Sequence, residues 1–464
     1  MLEEVGILVV CYGSRGVSIV DALTSSIEYK TNLFIVDKQR NPYNIKRSHD
    51  HVVIPDFDVK KIAMFADAHH DEIDFGIVGP EKPIINGIRD VVEKETKIPI
   101  LCPTKKYAIE ASKVSQRFLL EEVAPEINPR FKVFDPNDYS NSASVKEDLD
   151  HWLDELNNQV VVKPDKPAAG KGVGVWGDHF NNRTELFNDF LLNFKYGKVI
   201  VEEKLIGEES SFQAFCDGEH LVPLPETRDY KRAFDGDKGP NTGGMGSYKD
   251  VGNVLPFMTN SDWDREIHFV NQLFHHMKGS KRNPDLRGIP FYVAFMHTAS
   301  GPKVLEINSR PGDPEIMNIL PIIKDDFVEV CLRMIEGELT RINLEDLATV
   351  VTYKVPPTYA GKEKTYTGSR IVNLRKAYSL CDSSDGRLRL YPGALELKNG
   401  KTEALSSRTV ALVGIGKNIQ VARQLSLEGI KAVEGGSLWN RRDIASREHI
   451  QKSVIRMNSL RGGV

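Results

Sequence analysis

Four short apolar runs punctuate the first hundred residues, at positions 6–10, 33–36, 75–78 and 98–101. Each is too short for a helix and is bounded by polar or glycine-containing stretches. Runs of this kind, separated by helix-length segments, read as parallel strands buried on both faces and joined by crossover helices. This part of the chain is therefore an α/β sheet. After the first run come residues 13–16 and a helix-periodic stretch through Val17, Val20 and Leu23. Asp37 directly follows the second run, and Gly79, Pro80 and Glu81 directly follow the third. These are carboxyl ends of strands, where open α/β sheets bind ligands.

The 464 residues argue for roughly three domains. Pro103 and Thr104 look like a boundary, residues 105–120 have helical periodicity, and the polar stretch 135–144 reads as a loop. Strands are expected at 160–163 and 199–203, and a hairpin at 291–297 and 303–307 around the turn 298–301. Between them, residues 229–246 form a long loop with almost no apolar content, a kind usually kept for function. After about residue 345 a separate unit is expected, with strands near 348–355 and 408–414 and a helix over 418–428. Lys plus Arg total 61 against 65 Asp plus Glu, a net charge of −4 with mixed signs, which counts against a dedicated nucleic-acid binder. No window reaches the roughly 18 apolar residues of a membrane span. The acidic start, Met1 to Glu4, predicts a cytoplasmic protein. Five cysteines, with no CxxC spacing, read as reduced and mostly buried thiols.

Glu306 and Asn308 would share one face of a strand, about 7 Å apart, and present two hard oxygen donors to one cation. That set suits Mg²⁺, which completes its octahedron with phosphate oxygens and water. Arg310 follows on the same face and could meet a carboxylate or phosphate as a planar fork; a solvated strand edge with a salt bridge is the plainer alternative. Lys163 ends an apolar strand ahead of Gly170, Lys171 and Gly172, where exposed backbone N–H groups and two ammonium groups could cradle phosphates. The same glycines also suit a plain β-turn, and the segment lacks the ending of a P-loop. Glu202, Glu203, Glu208 and Glu209 could accept from a ribose, although a charged loop is the commoner meaning of such a run. In residues 229–246, Asp229, Lys231, Arg232 and Asp235 sit beside Asn241, Thr242, Gly243, Gly244, Met245 and Gly246, so charge and flexible backbone occur together. Arg15 stands where a helix opens after the first strand, a plausible anion site. The twelve histidines form no metal-binding pattern, and His69, His70, His275 and His276 read as surface helix positions.

Taken together, these stretches resemble the phosphoribosylamine–glycine ligase (glycinamide ribonucleotide synthetase) family of the ATP-grasp superfamily, over nearly the whole chain. The resemblance is most specific at 229–246 and 305–315, and it extends to 78–81, 162–163, 168–174 and 202–209. It implies an N-terminal Rossmann-like parallel sheet domain (residues 1–103), a central ATP-grasp fold (104–344, with a lid at about 124–204) and a small C-terminal α+β domain (345–464). It implies ATP with Mg²⁺ or Mn²⁺, and a glycyl phosphate formed from glycine and attacked by 5-phosphoribosylamine in purine synthesis, with no nucleic-acid or membrane partner. Glu306 and Asn308 would hold the metal. Lys163, Gly170, Lys171, Gly172, Glu202, Glu203, Leu205 and Glu209 would hold the nucleotide, and Asp229, Lys231, Arg232 and Arg310 would serve catalysis. The substrates would meet Arg15, Gly79, Pro80, Glu81, Asp235, Asn241, Thr242, Gly243, Gly244, Met245, Gly246 and Asp313. The chain departs from the family at the first turn, Cys11 to Gly16, which lacks two glycines and an acid, and at Tyr230 and Pro311, where His and Phe are usual. It also looks longer than many members after residue 350. Rival readings are a different ATP-grasp ligase, which would not share the 229–246 segment; a dinucleotide-binding oxidoreductase, which would need a GxGxxG turn; and a non-catalytic relative, which would have lost Glu306, Asn308, Lys163 or Arg310.

Overall fold

The computed structural model describes residues 2–166 and 172–462. The N-terminal strands form a five-stranded parallel sheet in the spatial order Asp50–Val53, Tyr29–Asp37, Glu3–Val10, Phe75–Val78, Ile100–Leu101. Val5 to Val10 are buried without interruption, because helices cover both faces and leave no polar side. Strand Glu3–Val10 has Tyr29–Asp37 on one side and Phe75–Val78 on the other, so the chain order reverses at its carboxyl end. Arg15, in helix Gly13–Thr24, and Glu81, at the start of helix Glu81–Ile85, both follow strands at that crevice. Strand Asp50–Val53 was not expected; it is an edge strand with exposed ends, and its apolar run, Val52 to Ile54, is only three residues long.

Helical structure over 105–120 is interrupted. Two single turns, Lys105–Tyr107 and Ile109–Ala111, precede a helix that starts only at Lys113. Ser112 caps it by accepting the Ser115 N–H at 3.1 Å. The expected loop at 135–144 contains the turn Pro136–Asp138 and the start of helix Ser142–Glu155, where Asn141 Oδ1 accepts two backbone N–H groups. That helix, helix Arg183–Phe194 and the sheet of Phe131–Phe134, Val199–Glu203, Val160–Pro164 and Gly174–Val175 make up the part of the chain expected as the lid. It has its own core, including Phe134, Leu149, Val162, Phe180 and Phe190.

The rest of the chain is organised by one eight-stranded antiparallel sheet. Its order is Gly301–Asn308, Gly288–Thr298, Glu208–Cys216, Leu221–Asp229, Gly246–Lys249, Ala348–Lys354, Val410–Gly416, Leu388–Pro392. The hairpin around 298–301 is present as expected. The unit expected to be separate after 345 is not: Gly246–Lys249 pairs with Ala348–Lys354, from Gly246 with Thr352 to Lys249 with Thr349. An apolar strand pattern shows that a strand is buried but not which sheet it joins. One core runs from Val5 and Ile7 through Tyr248 and Val351 to Met457. The C-terminal region also grips the N-terminal sheet, since Gln39 and Asn41 donate to the carbonyls of Pro392, Gly393 and Leu395 at 3.0 Å. Four of the five cysteines are buried and all are free. Among the described residues no helix is long and apolar enough to cross a membrane.

Candidate active site

Strand Gly301–Asn308 has an irregularity at Leu305, where the register shifts between Val304, opposite Phe295, and Glu306, opposite Ala294. Val304 and Ile307 enter a core beneath the sheet, while Glu306 and Asn308 stand opposite Ala294 and Tyr292 of the neighbouring strand. Burial disfavours the Glu306 carboxylate, but Lys231, Lys113, Lys163 and Arg310 outweigh it and hold its pKa below the ordinary value. No residue described here hydrogen-bonds its side chain. Asn308 has an unpartnered, buried Nδ2, and its Oδ1 lies 3.5 Å from Arg310. A carboxylate free of donors and an amide free to turn its oxygen outward fit a divalent cation that takes most of its ligands from phosphate and water. No group of three or more His, Cys, Asp or Glu among the described residues is placed to hold a metal by itself.

The lid is tied to this strand by a buried ion pair. Arg117 donates to Glu202 through Nε at 2.6 Å and Nη2 at 3.0 Å, and to the Leu305 carbonyl at 2.7 Å. Lys163 Nζ lies 2.7 Å from Glu202 and 3.3 Å from the same carbonyl. Burial lowers the Lys163 pKa, with Glu202 opposing. Both Glu202 oxygens are taken by cations, so this side chain is a tether between lid and sheet rather than a free acceptor for a ribose. Glu203 Oε1 is occupied by the Arg130 N–H at 2.9 Å, while Leu205 is half-buried just beyond the strand. Glu209 faces Lys231 at 2.7 Å. Gly172 is at a turn with φ 83°; Gly170 and Lys171 lie outside the described residues.

Residues 229–246 are not an open loop. They hold a hairpin of Arg232–Phe234 and Lys238–Asn241, in which Arg232 pairs with Asn241. The hairpin separates two residues expected to act together: Lys231 turns toward Glu209 and Glu306, whereas Arg232 reaches Asp178 in the lid at 2.7 Å. Asp235 sits near the tip of the hairpin and accepts the Arg442 N–H at 2.8 Å. Thr242 Oγ1 donates to the Lys231 carbonyl at 2.9 Å. Met245 is fully buried in the main core, so its side chain meets no substrate, and Gly246 begins a sheet strand. An apolar residue inside a polar motif goes to the core for the usual hydrophobic reason.

Arg15, Glu81, Arg310 and Asp313 are brought together from two parts of the chain, beside Gly79 and Pro80. Arg15 donates to the Pro311 carbonyl at 2.9 Å and to Glu81 at 3.4 Å. Arg310 Nε lies 3.8 Å from Glu81 and 3.5 Å from Glu110. Burial opposes ionisation of Glu81, yet Arg15 and Arg310 pull its pKa down to about 2. Sequence reasoning missed Arg408, which donates to Asp313 at 2.7 Å and to the carbonyls of Gly243 and Gly244, joining both expected substrate stretches from the C-terminal region. Its one signal is a cation placed just before the apolar strand Val410–Gly416. Arg117 was missed for a related reason, a buried cation on an otherwise apolar-periodic helix.

Family models cover most of this machinery. Residues 5–110 match the N domain of phosphoribosylglycinamide synthetase, and residues 131–316 match its ATP-grasp (A) domain. The chain belongs to the phosphoribosylglycinamide synthetase family. A phosphoribosylamine–glycine ligase of Methanocella arvoryzae is 35% identical over 98% of this chain and 100% of its own length. One from Pyrococcus furiosus is 34% identical over 99% and 98%. The length after residue 350 is thus common to these synthetases. The crystal structure of a phosphoribosylamine–glycine ligase from Thermotoga maritima superposes with a TM-score of 0.73 at 22% identity, covering 95% of this chain and all of that one.

Arg408→Lys tests the missed residue. Lysine keeps the charge but loses the planar fork that joins Asp313 to the glycine turn. Lost hydrogen bonds to charged groups predict a roughly 10- to 100-fold drop in kcat/KM for the amine substrate. Initial rates with each substrate varied should show the KM for ATP unchanged.

Proposed function

We propose that this cleft joins glycine to 5-phosphoribosylamine with ATP, through a glycyl phosphate, giving glycinamide ribonucleotide, ADP and phosphate. The observation that carries the reading is Glu306: a carboxylate on a strand face with no hydrogen-bond partner among the described residues, under the influence of Lys231, Lys113, Lys163 and Arg310 and on the same strand as Asn308. A carboxylate is a poor electrophile, so amide formation at neutral pH needs it converted to an acyl phosphate. Moving a phosphoryl group calls for cations rather than a protein nucleophile. Glu306 and Asn308 would hold Mg²⁺, or Mn²⁺, which would supply charge neutralisation for phosphoryl transfer. Lys163 and the turn at Gly172 lie over the nucleotide phosphates, and the backbone from Glu203 to Leu205 lines the base. Lys231 and Arg310 offset charge on the acyl phosphate. Arg15 and Arg408, with Glu81 and Asp313, shape the side on which the amine approaches.

The reaction class has an isotopic test. If glycine is activated as an acyl phosphate, one carboxylate oxygen leaves with the phosphoryl group when the amine displaces it. Glycine labelled with ¹⁸O should then yield ADP and singly labelled inorganic phosphate. Label in AMP with release of pyrophosphate, or unlabelled phosphate with full amide formation, would rule this route out.

A further inference from the structure

Lys231 reaches the cleft at the end of a flexible four-carbon stem, where its ammonium group meets Glu209 at 2.7 Å. Such a side chain can point only where its backbone directs it. That backbone is held with unusual care. The Lys231 carbonyl accepts both the Thr242 N–H at 2.7 Å and Thr242 Oγ1 at 2.9 Å. Its chain neighbours, Tyr230 and Arg232, are held by a single residue of the C-terminal segment. Arg441 Nη1 donates to the Arg232 carbonyl at 2.8 Å, and the same guanidinium lies 5.1 Å from the centroid of the Tyr230 ring.

Arg441 is 1% exposed, and each nitrogen of its guanidinium is in use. Nε donates to Asp443 Oδ1 at 2.8 Å, while Nη2 donates to Asp443 Oδ2 at 2.6 Å and to Asp237 Oδ1 at 3.0 Å. Burying an arginine is costly unless its donors are matched, and two of the three nitrogens find their match on the 232–241 hairpin. Asp237 lies in the turn of that hairpin with φ 55°, a left-handed backbone that persists only where its surroundings fix it. Its other oxygen lies 2.7 Å from His449 Nε2, and the His449 ring packs on Tyr230 with centroids 4.9 Å apart. Ala445 N–H donates to Tyr230 Oη at 3.0 Å, and Gly236 N–H to Asp443 Oδ2 at 2.8 Å. One stretch, residues 441–449, thus clasps the hairpin at its base and at its turn. Among the described residues no hydrogen bond or ion pair joins that stretch to Glu306, Asn308 or Lys163.

We propose that Arg441 is a positioning residue for the ligation: by gripping the chain on both sides of Lys231, it aims that ammonium group at the acyl phosphate. This rests on the functional reading above and adds to it a contribution from the C-terminal segment. Asp237 and His449 complete the grip from the turn. The clasp also accounts for the parting of Lys231 and Arg232. Where the chain is held extended, successive side chains take opposite sides, so one faces Glu209 and the other Asp178.

The test uses the full chain with ATP, glycine and freshly made phosphoribosylamine. Arg441→Lys keeps the charge, but a lysine cannot bridge the Arg232 carbonyl, Asp237 and Asp443 at once. It should lower kcat roughly 10- to 100-fold, the loss expected when a catalytic group is misplaced by about an ångström, with the KM values for ATP and glycine nearly unchanged. In a Lys231→Met background the same exchange should leave the remaining rate nearly unchanged, because the group it aims is gone. A residue that only stabilised the fold would act equally in both backgrounds. Equal fractional losses, an unchanged kcat, or an equal rise in KM for all three substrates therefore overturns the positioning role. Should Arg441→Lys fail to fold, Asp237→Asn decides, since asparagine tolerates the left-handed backbone and only the charge is lost. Its kcat should fall several-fold with Lys231 present and not in the Lys231→Met background; no fall, or the same fall in both, overturns the role. Absence of glycine-dependent ADP release in the unaltered enzyme overturns the functional reading, and this role with it. Release in the unaltered enzyme with equal losses in both backgrounds overturns the positioning role alone.

Discussion

Glu306→Gln should lower kcat by roughly 100- to 1,000-fold while the fold stays intact. A metal that stabilises a transferring phosphoryl group contributes several kcal/mol, and about 3–4 kcal/mol corresponds to that range. Glutamine keeps the shape and one oxygen of Glu306 but removes the charge that Mg²⁺ needs. Little else should change, because among the described residues the Glu306 carboxylate accepts no hydrogen bond that the amide would break. Thermal unfolding should therefore match the unaltered protein, and the Mg²⁺ dependence of the rate should shift to higher concentration. Normal turnover at limiting Mg²⁺ would remove Glu306 from the metal site.

The largest effect on stability is expected at Glu202. Its carboxylate is buried, 3% exposed, between Arg117 and Lys163. Glu202→Gln leaves both cations in place without their counter-charge, and breaking a buried pair in this way costs about 3–5 kcal/mol. The pH dependence has a definite sign. Burial raises the Glu202 pKa, but Arg117 and Lys163 more than reverse this and take it from 4.5 to about 2. A folded-state pKa below the unfolded one gives stability that is complete above about pH 4.5 and is lost as pH falls toward 2, about 3 kcal/mol in all. Denaturant titrations at several pH values should show a wide gap between the two proteins at pH 7 that narrows below pH 4.5. A gap that stays constant across this range would mean that Glu202 contributes through packing rather than charge.

What could be read from the sequence follows from how far apart the cooperating residues lie. The N-terminal sheet was legible because each strand is a local apolar run that its helices must cover. The shared face of Glu306 and Asn308 was legible because alternation along a strand is a two-residue property. Partner choice was not: nothing in residues 348–354 says that they pair with 246–249 rather than with a sheet of their own. Arg117 and Arg408 escaped notice for the same reason. Each is a single polar residue whose partners sit dozens to hundreds of positions away, as with Arg408 and Asp313 or Arg117 and Glu202. Motif reading erred in the other direction by treating neighbours as a unit. Arg232 and Met245 belong to the same polar stretch as Lys231, yet one leaves for the lid and the other for the core.

The shared eight-stranded sheet also bears on how the chain is made. A ribosome releases Gly246–Lys249 well before its partner, since Lys249 pairs with Thr349, a hundred residues on. Val350 in turn waits for Gly414. Through that interval the nascent protein carries an unpaired strand edge, open to any other chain with a free edge of its own. The longer the interval between emergence and pairing, the more time that edge has to meet a wrong partner.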